Sequence, residues 1–397
     1  MADLEGVSYF IPVSRARVRQ AVLDLPGLKD DEKEAMGNVA ELMEALWHHR
    51  AHSTQERLKA LYEDFDPFEH PEETVGGVDE FLEVFDDVLQ DGNWEPISDQ
   101  ELQDALEGED VFPISLDVRF DEFAKMRLYK LGEHRFRDIR KSFFGLRKTE
   151  IEVDAYDRVL QVVQYNDEAW FQSNKRMKHY PGVLANGLHL HLFKTVPKLD
   201  LETIFPNTTP NMRTLDRLKI LAPAIAGVVT AGVKFGPILF GKGEAGDTSL
   251  SLVLGTLAGL CTYMLRSYLS YRKTKESYLA QVSKDLYFKG QANNSAVLNL
   301  VTDLSEEQEV KEAFLAYAFL YIEADKGYSK ESLDDRIEAW LTEIFDVIVD
   351  FEVDDALGKL EDLNMLQRSE DGTLSVVGIP EALQIIDGIW DSLYDYS

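Results

Sequence analysis

Residues 220–240 read ILAPAIAGVVTAGVKFGPILF, with Lys234 as the one charge. A helix of that length reaches ~30 Å at ~1.5 Å per residue, the thickness of a bilayer's hydrocarbon core, so the run reads as a membrane span. A second apolar run, at about 249–269, carries Leu250, Leu254, Leu257, Leu260, Met264 and Leu265, with Tyr263, Tyr268 and Tyr271 placed as interfacial anchors. Between the two runs lies GKGEAGD at 241–247, whose glycines suit a tight turn. Residues 213–275 are therefore expected to form a two-helix transmembrane hairpin, the alternative being a buried helical hairpin in a large soluble core.

The flanks orient that hairpin. Arg213, Arg217 and Lys219 precede the first run, and Arg266, Arg272, Lys273 and Lys275 follow the core of the second, whereas the loop's Lys242 is outnumbered by Glu244 and Asp247. The excess of basic residues outside the hairpin places both termini in the cytoplasm, with the bacterial inner membrane as the expected location and the lipid bilayer as a partner. Gly232 with Gly236, and Gly255 with Gly259, form two G-x-x-x-G spacings that let helix backbones approach. They predict packing within the hairpin, self-association or contact with a protein partner.

Outward from the hairpin the chain is acidic. Among 397 residues, 41 Lys and Arg stand against 72 Asp and Glu, a formal charge of −31, which argues against nucleic acid as a partner. Adaptation to a salty cytoplasm is a second reading of the same balance. The single cysteine, Cys261, excludes an intrachain disulfide framework and a Cys-rich zinc site. Residues 1–25 lack the continuous apolar core of a secretory signal, so no cleaved segment is expected.

Residues 1–107 show helical periodicity in AELMEALWHHRA, STQERLKALYEDF and VDEFLEVFDDVLQ. From 108 to 212 the period shortens. FPISLDVRF, AKMRLYKL, EIEVDAYDRVLQVVQYN and GLHLHLF are rich in β-branched and aromatic residues and predict an antiparallel sheet covered by the N-terminal helices. Residues 276–328 read as membrane-proximal helices, with Ser305-Glu306-Glu307-Gln308 as a capping box that opens a new helix. Residues 329–397 then run helix, helix, a hairpin turned at Asp371-Gly372, and a last helix after Pro380, a winged-helix-like order. From Lys330 onward this region holds four basic and eighteen acidic residues, opposite to what a DNA-reading wing needs. The expected fold class is thus an α+β membrane protein.

The chain carries no phosphate-binding G-x-x-x-x-G-K-[ST] loop, no strand-linked G-x-G-x-x-G, no G-x-S-x-G elbow and no H-E-x-x-H pair. No cofactor, metal or catalytic residue is therefore assigned. His189 and His191, two apart on a strand, share a face and fit either a metal-ligating or a packed pair; His48 and His49 adjoin on a helix and diverge.

Phe193-Lys194-Thr195-Val196-Pro197, Asp200-Leu201-Glu202, Pro206 and Asp216-Arg217-Leu218-Lys219 precede the first apolar run. Leu286-Tyr287, Asn293-Asn294 and a helix bearing Glu306, Glu307, Lys311, Glu312 and Tyr317 follow the second. As a set these resemble the transmembrane protein 143-like family, a group defined by a domain of unknown function, from about residue 112 onward. The resemblance implies a membrane protein with a central span pair and supplies no reaction. A hairpin with both ends on one side would bring its flanks together. Asp200, Glu202, Asp216 and Arg217 would then join Tyr287, Asn293, Asn294, Glu307 and Lys311 in one surface at the membrane rim. The expected function is a membrane-anchored cytoplasmic interaction or regulatory module of unknown activity, with a membrane-associated enzyme or lipid-handling protein as the alternative.

Overall fold

Alternating apolar and polar residues along 150–166 draw that segment into a strand, and its long neighbour pairs with it nearly end to end. In this computed structural model the described residues are 8–69, 78–107, 115–142, 147–211 and 249–393, with single helical positions at Ala222, Ile225, Ala226 and Val229. The strands are β1 (Glu95–Pro96), β2 (Ser115–Asp117), β3 (Phe123–Ser142), β4 (Arg147–Tyr165), β5 (His189–Pro197), β6 (Thr209–Asn211), β7 (Gly290–Asn293), β8 (Leu366–Arg368) and β9 (Leu374–Val376). The helices are α1 (Arg15–Leu23), α2 (Asp30–Tyr62), α3 (Val78–Asp91), α4 (Asp99–Glu107), α5 (Glu168–Ser173), α6 (Ser249–Lys289), α7 (Ser295–Ile322), α8 (Lys330–Phe345), α9 (Val353–Asp362) and α10 (Ile379–Ser392).

The chain divides into two units. The first comprises Met1–Ser98, Asp121–Lys198 and Gly290–Ser397. Its sheet has the order β1-β3-β4-β5-β7 and is antiparallel throughout. The register sets Tyr129 opposite Leu160, and Leu160 opposite Leu192. Because paired residues share a face, these three lie on one side with Val162 and Leu190. That side packs against Leu58 and Tyr62 of α2, Phe81 and Phe85 of α3, and Val297, Leu298 and Val301 of α7. Helix α3 fits there because Phe81, Phe85, Val88 and Leu89 recur at helical spacing on one stripe.

A second core joins α1, α2 and the later half of α7 to α8, α9, the β8-β9 hairpin and α10. Residues 313–320 of α7, AFLAYAFL, are all buried there, so the helix is apolar on every side. The capping-box expectation at 305–308 is corrected: α7 is one helix from Ser295 to Ile322, and the Ser305 hydroxyl donates to the Val88 carbonyl at 2.9 Å. Gly92, at the end of α3, lies so close that a Cβ there would collide with Ser305.

The second unit comprises Asp99–Phe120 and Leu199–Lys289. Within it β2 and β6 pair antiparallel, Arg119 donates to Thr209 Oγ1 at 3.0 Å, and Phe120 meets Phe205 edge to face at 5.2 Å. Its longest element is α6, 41 residues.

Helix α6 overturns the membrane reading. The second proposed span, 249–269, is only the first half of a helix that runs on through Arg272, Lys273, Lys275 and Glu276 to Lys289. Among the described residues no helix is long and apolar enough to cross a membrane. The fold is α+β with an antiparallel sheet, and the expectations of a transmembrane hairpin, of membrane anchoring and of a two-span inner-membrane protein with cytoplasmic termini are withdrawn. The first proposed span, its Lys234 and the loop at 241–247 fall outside the described residues, save for the four positions named above. A run can match a bilayer in length and still begin a longer polar helix, and local hydropathy does not distinguish the two.

Candidate functional site

Helix α7 enters the first unit through Asn294, whose φ of 50° ends β7 sharply. The Asn294 side chain accepts from Leu190 N at 3.2 Å, and its own N–H donates to the Leu190 carbonyl at 2.8 Å, which ties the start of α7 to β5. One turn beyond the sheet core the helix changes character. Ser305, Glu306, Gln308, Lys311 and Glu312 are all buried, and each finds a partner outside α7.

On one side, the extended chain of residues 9–15 lies against the helix. Gln308 accepts from Ile11 N at 3.1 Å and donates to Ile11 O at 3.4 Å. Lys311 Nζ donates to Ile11 O at 2.7 Å and Val13 O at 3.1 Å. Glu307 accepts from Arg15 N, and Glu306 takes the Arg15 guanidinium and the His48 ring, each at 2.9 Å.

On the other side stands a carboxylate cluster. Glu312, with no exposed surface, accepts from Asn93 at 2.6 Å and from Lys359 at 2.7 Å, and Lys359 also reaches Asp355 at 2.5 Å. Asn93 adopts φ 60° just after α3, a left-handed position that asparagine tolerates.

Burial governs the protonation of this layer. It pushes Glu312 up to about 7 against the opposing pull of Lys359, and Glu309 up to about 7 despite Lys359 and the Trp47 hydrogen bond. It brings Lys311 down to about 8, with Glu307 and Glu312 opposing. For Lys359 burial is outweighed by Glu312, Asp355 and Glu309, and its pKa rises. The layer can therefore hold or release protons near neutrality. Neither cleft described in this unit opens onto it. A surface groove of about 500 Å³ lies between α2 and α10 at Asn38, Leu42 and Leu383, and one of about 310 Å³ lies at Asp64, Asn166 and Trp170.

The residues of the expected rim surface are divided between the two units. Asp200, Glu202 and Tyr287 belong to the second, where Tyr287 is 79% exposed on α6. Asn293, Asn294, Glu307 and Lys311 belong to the first, the last two side by side on α7 and 3.8 Å apart. Asp216, Arg217, Gly232 and Gly236 lie outside the described residues. Gly255 and Gly259 sit on α6 with open space where a Cβ would stand.

His189 and His191 share a face, their rings 6.1 Å apart. Each is committed to a neighbour, His189 Nε2 to the Leu184 carbonyl at 2.7 Å and His191 Nδ1 to Asn293 Oδ1 at 2.8 Å, and burial lowers both pKa values. His179 instead meets the buried Glu122 at 2.9 Å. No group of three or more His, Cys, Asp or Glu among the described residues is arranged to hold a metal.

Sequence reasoning missed Gln308, Glu309, Asn93 and Lys359. The available signal was the polar run SEEQEVKE set directly before AFLAYAFL in one helix: a helix buried on all sides buries its polar turn as well.

Residues 156–296 match the model of a family described as protein of unknown function, DUF3754. That segment runs from β4 to the first residues of α7, less than half of the chain, and the description assigns no activity. The likeness is to a family of unknown function. No solved structure matches the chain.

Proposed function

We propose that this chain is an interaction module that associates with a second copy of itself through α6. The observation that carries the reading is an exposed apolar stripe that no other described residue covers. Cys261, Met264, Leu265, Tyr268 and Leu269 follow the i, i+3, i+4, i+7, i+8 spacing of one helix face, and all five are exposed, Leu265 at 60%. A contiguous apolar stripe on a helix is the usual substrate of helix–helix packing, and exposed patches of this kind mark interaction sites. Gly255 and Gly259, each with open space where a Cβ would stand, lie six and two residues upstream of Cys261, rotated to the side of this stripe. A likeness to the transmembrane protein 143-like family belongs to the same proposal and supplies no reaction.

The chain's one cysteine sits in the stripe and supplies the test. A short bismaleimide should link Cys261 to Cys261 of a second copy, and light scattering should give twice the monomer mass. Leu265→Glu with Leu269→Glu should abolish both signals while circular dichroism stays unchanged. A wild-type chain that runs as a monomer and resists cross-linking overturns the reading.

A further inference from the structure

Residues 8–14 cross α7 without regular secondary structure, held by no neighbouring strand but mainly by side chains, with one backbone bond from Asp350. Gln308 grips Ile11 at both its N–H and its carbonyl, Asn93 donates to Tyr9 O at 3.3 Å, and Asp350 N donates to Ser8 O at 3.2 Å. Ile11 and Val13 alternate inward, 0% and 4% exposed, the register of an extended peptide in a groove. The segment then enters α1, whose Val18 and Val22 join the same core.

This groove cannot stand empty at low cost. Lys311 is 2% exposed and donates to the Ile11 and Val13 carbonyls, while Glu307 is 3.8 Å away. Removing the segment strips a buried ammonium of both carbonyls and leaves the Gln308 amide unmatched, a heavy penalty for a buried charge. Any opening of the arm therefore favours its replacement by a segment of the same chemistry: two β-branched residues two apart, then an arginine for Glu306. The chain's own arm meets every one of these requirements, and a second copy brings an identical one.

The connection to the rest of the fold suits an exchange. Residues 24–29 join α1 to α2 through Pro26 and Gly27, and Gly27 has φ 124°. A short link with a proline and a positive-φ glycine, next to an element that can make the same contacts in cis or in trans, is a usual setting for domain swapping. We propose that residues 8–23 are an exchangeable arm that docks on α7 of a second copy, with 24–29 as the hinge. The proposal does not depend on the α6 stripe.

The test uses the full chain with Cys261→Ser and Leu265→Glu, which removes both the native thiol and the α6 stripe as a source of proximity. One batch carries Ser8→Cys and the other Asp350→Cys, and the two are mixed and treated with a short bismaleimide. Exchange predicts a Ser8–Asp350 cross-linked heterodimer several-fold more abundant than that from a control pairing Ser8→Cys with Glu370→Cys on the exposed β8-β9 hairpin. Deleting three residues from 24–29, so that the arm cannot reach back in cis, should raise the yield further. A yield equal to the control in both the full-length and the shortened hinge overturns the proposal; a chain with both cysteines, linked within itself, reports that the arm still docks.

Discussion

The side-chain amide of Gln308 pairs with Ile11 in both directions, accepting its N–H at 3.1 Å and donating to its carbonyl at 3.4 Å. The two residues are 297 apart in sequence, so this pair closes the N-terminal arm onto α7. With Gln308 1% exposed, no water stands ready to replace the lost partner.

Gln308→Ala should therefore leave the Ile11 N–H unsatisfied and destabilise the fold by about 1–3 kcal/mol, the usual penalty for an orphaned buried polar group. Gln308→Glu should cost more, because a carboxylate would face the Ile11 carbonyl. Urea unfolding followed by tryptophan fluorescence checks both. Equal midpoints for wild type and Gln308→Ala would show that the arm contributes no stability through this contact.

Glu309 provides a pH signature. Its folded pKa of about 7 lies above the ordinary 4.5, chiefly through burial. A group raised in this way contributes stability fully present below its unfolded pKa and lost as pH rises through the folded one, here from about pH 4.5 to above 7. Glu309→Gln removes the titration, so the variant should gain on wild type by about 1–3 kcal/mol between pH 5 and pH 8, at roughly 1.4 kcal/mol for each pH unit that separates the folded from the unfolded pKa. Chemical denaturation at the two pH values measures the difference. A gain that shrinks toward pH 8 would contradict the sign.

Lys359 and Glu312 should show strong coupling. Glu312 has no exposed surface and Lys359 lies 2.7 Å from it, 10% exposed. Lys359→Met alone leaves a buried carboxylate facing Asn93 and should cost about 3–5 kcal/mol at pH 8. The loss should be smaller at pH 5.5, where Glu312, with a pKa raised to about 7, takes up a proton. Lys359→Met with Glu312→Leu should recover much of the loss, since an apolar pair of similar volume often replaces a buried ion pair without penalty. A double-mutant cycle in urea reads the coupling directly, and additivity would mean that the pair acts as two independent groups.

Local pattern determined the elements whose signal is contained within a few residues. The alternation in EIEVDAYDRVLQVVQYN appears as β4, the heptad-like spacing of VDEFLEVFDDVLQ as α3, and Asp371-Gly372 as the turn between β8 and β9, with Gly372 at φ 86°. Each arises from side-chain periodicity or from the freedom of one glycine. Tertiary structure alone decided three other matters. Whether an apolar run ends at a bilayer surface or continues as a polar helix depends on the residues beyond it and on its neighbours in space, and α6 continues to Lys289. Whether SEEQ caps a helix or lies inside one depends on the elements packed around it, and in α7 the Ser305 hydroxyl donates to Val88 of another helix. Which polar residues lose their hydration depends on chain contacts hundreds of residues away. Glu306, Gln308, Lys311 and Glu312 are ordinary helix-surface residues by pattern, and they became a buried layer only because residues 9–15, Asn93 and Lys359 close over them.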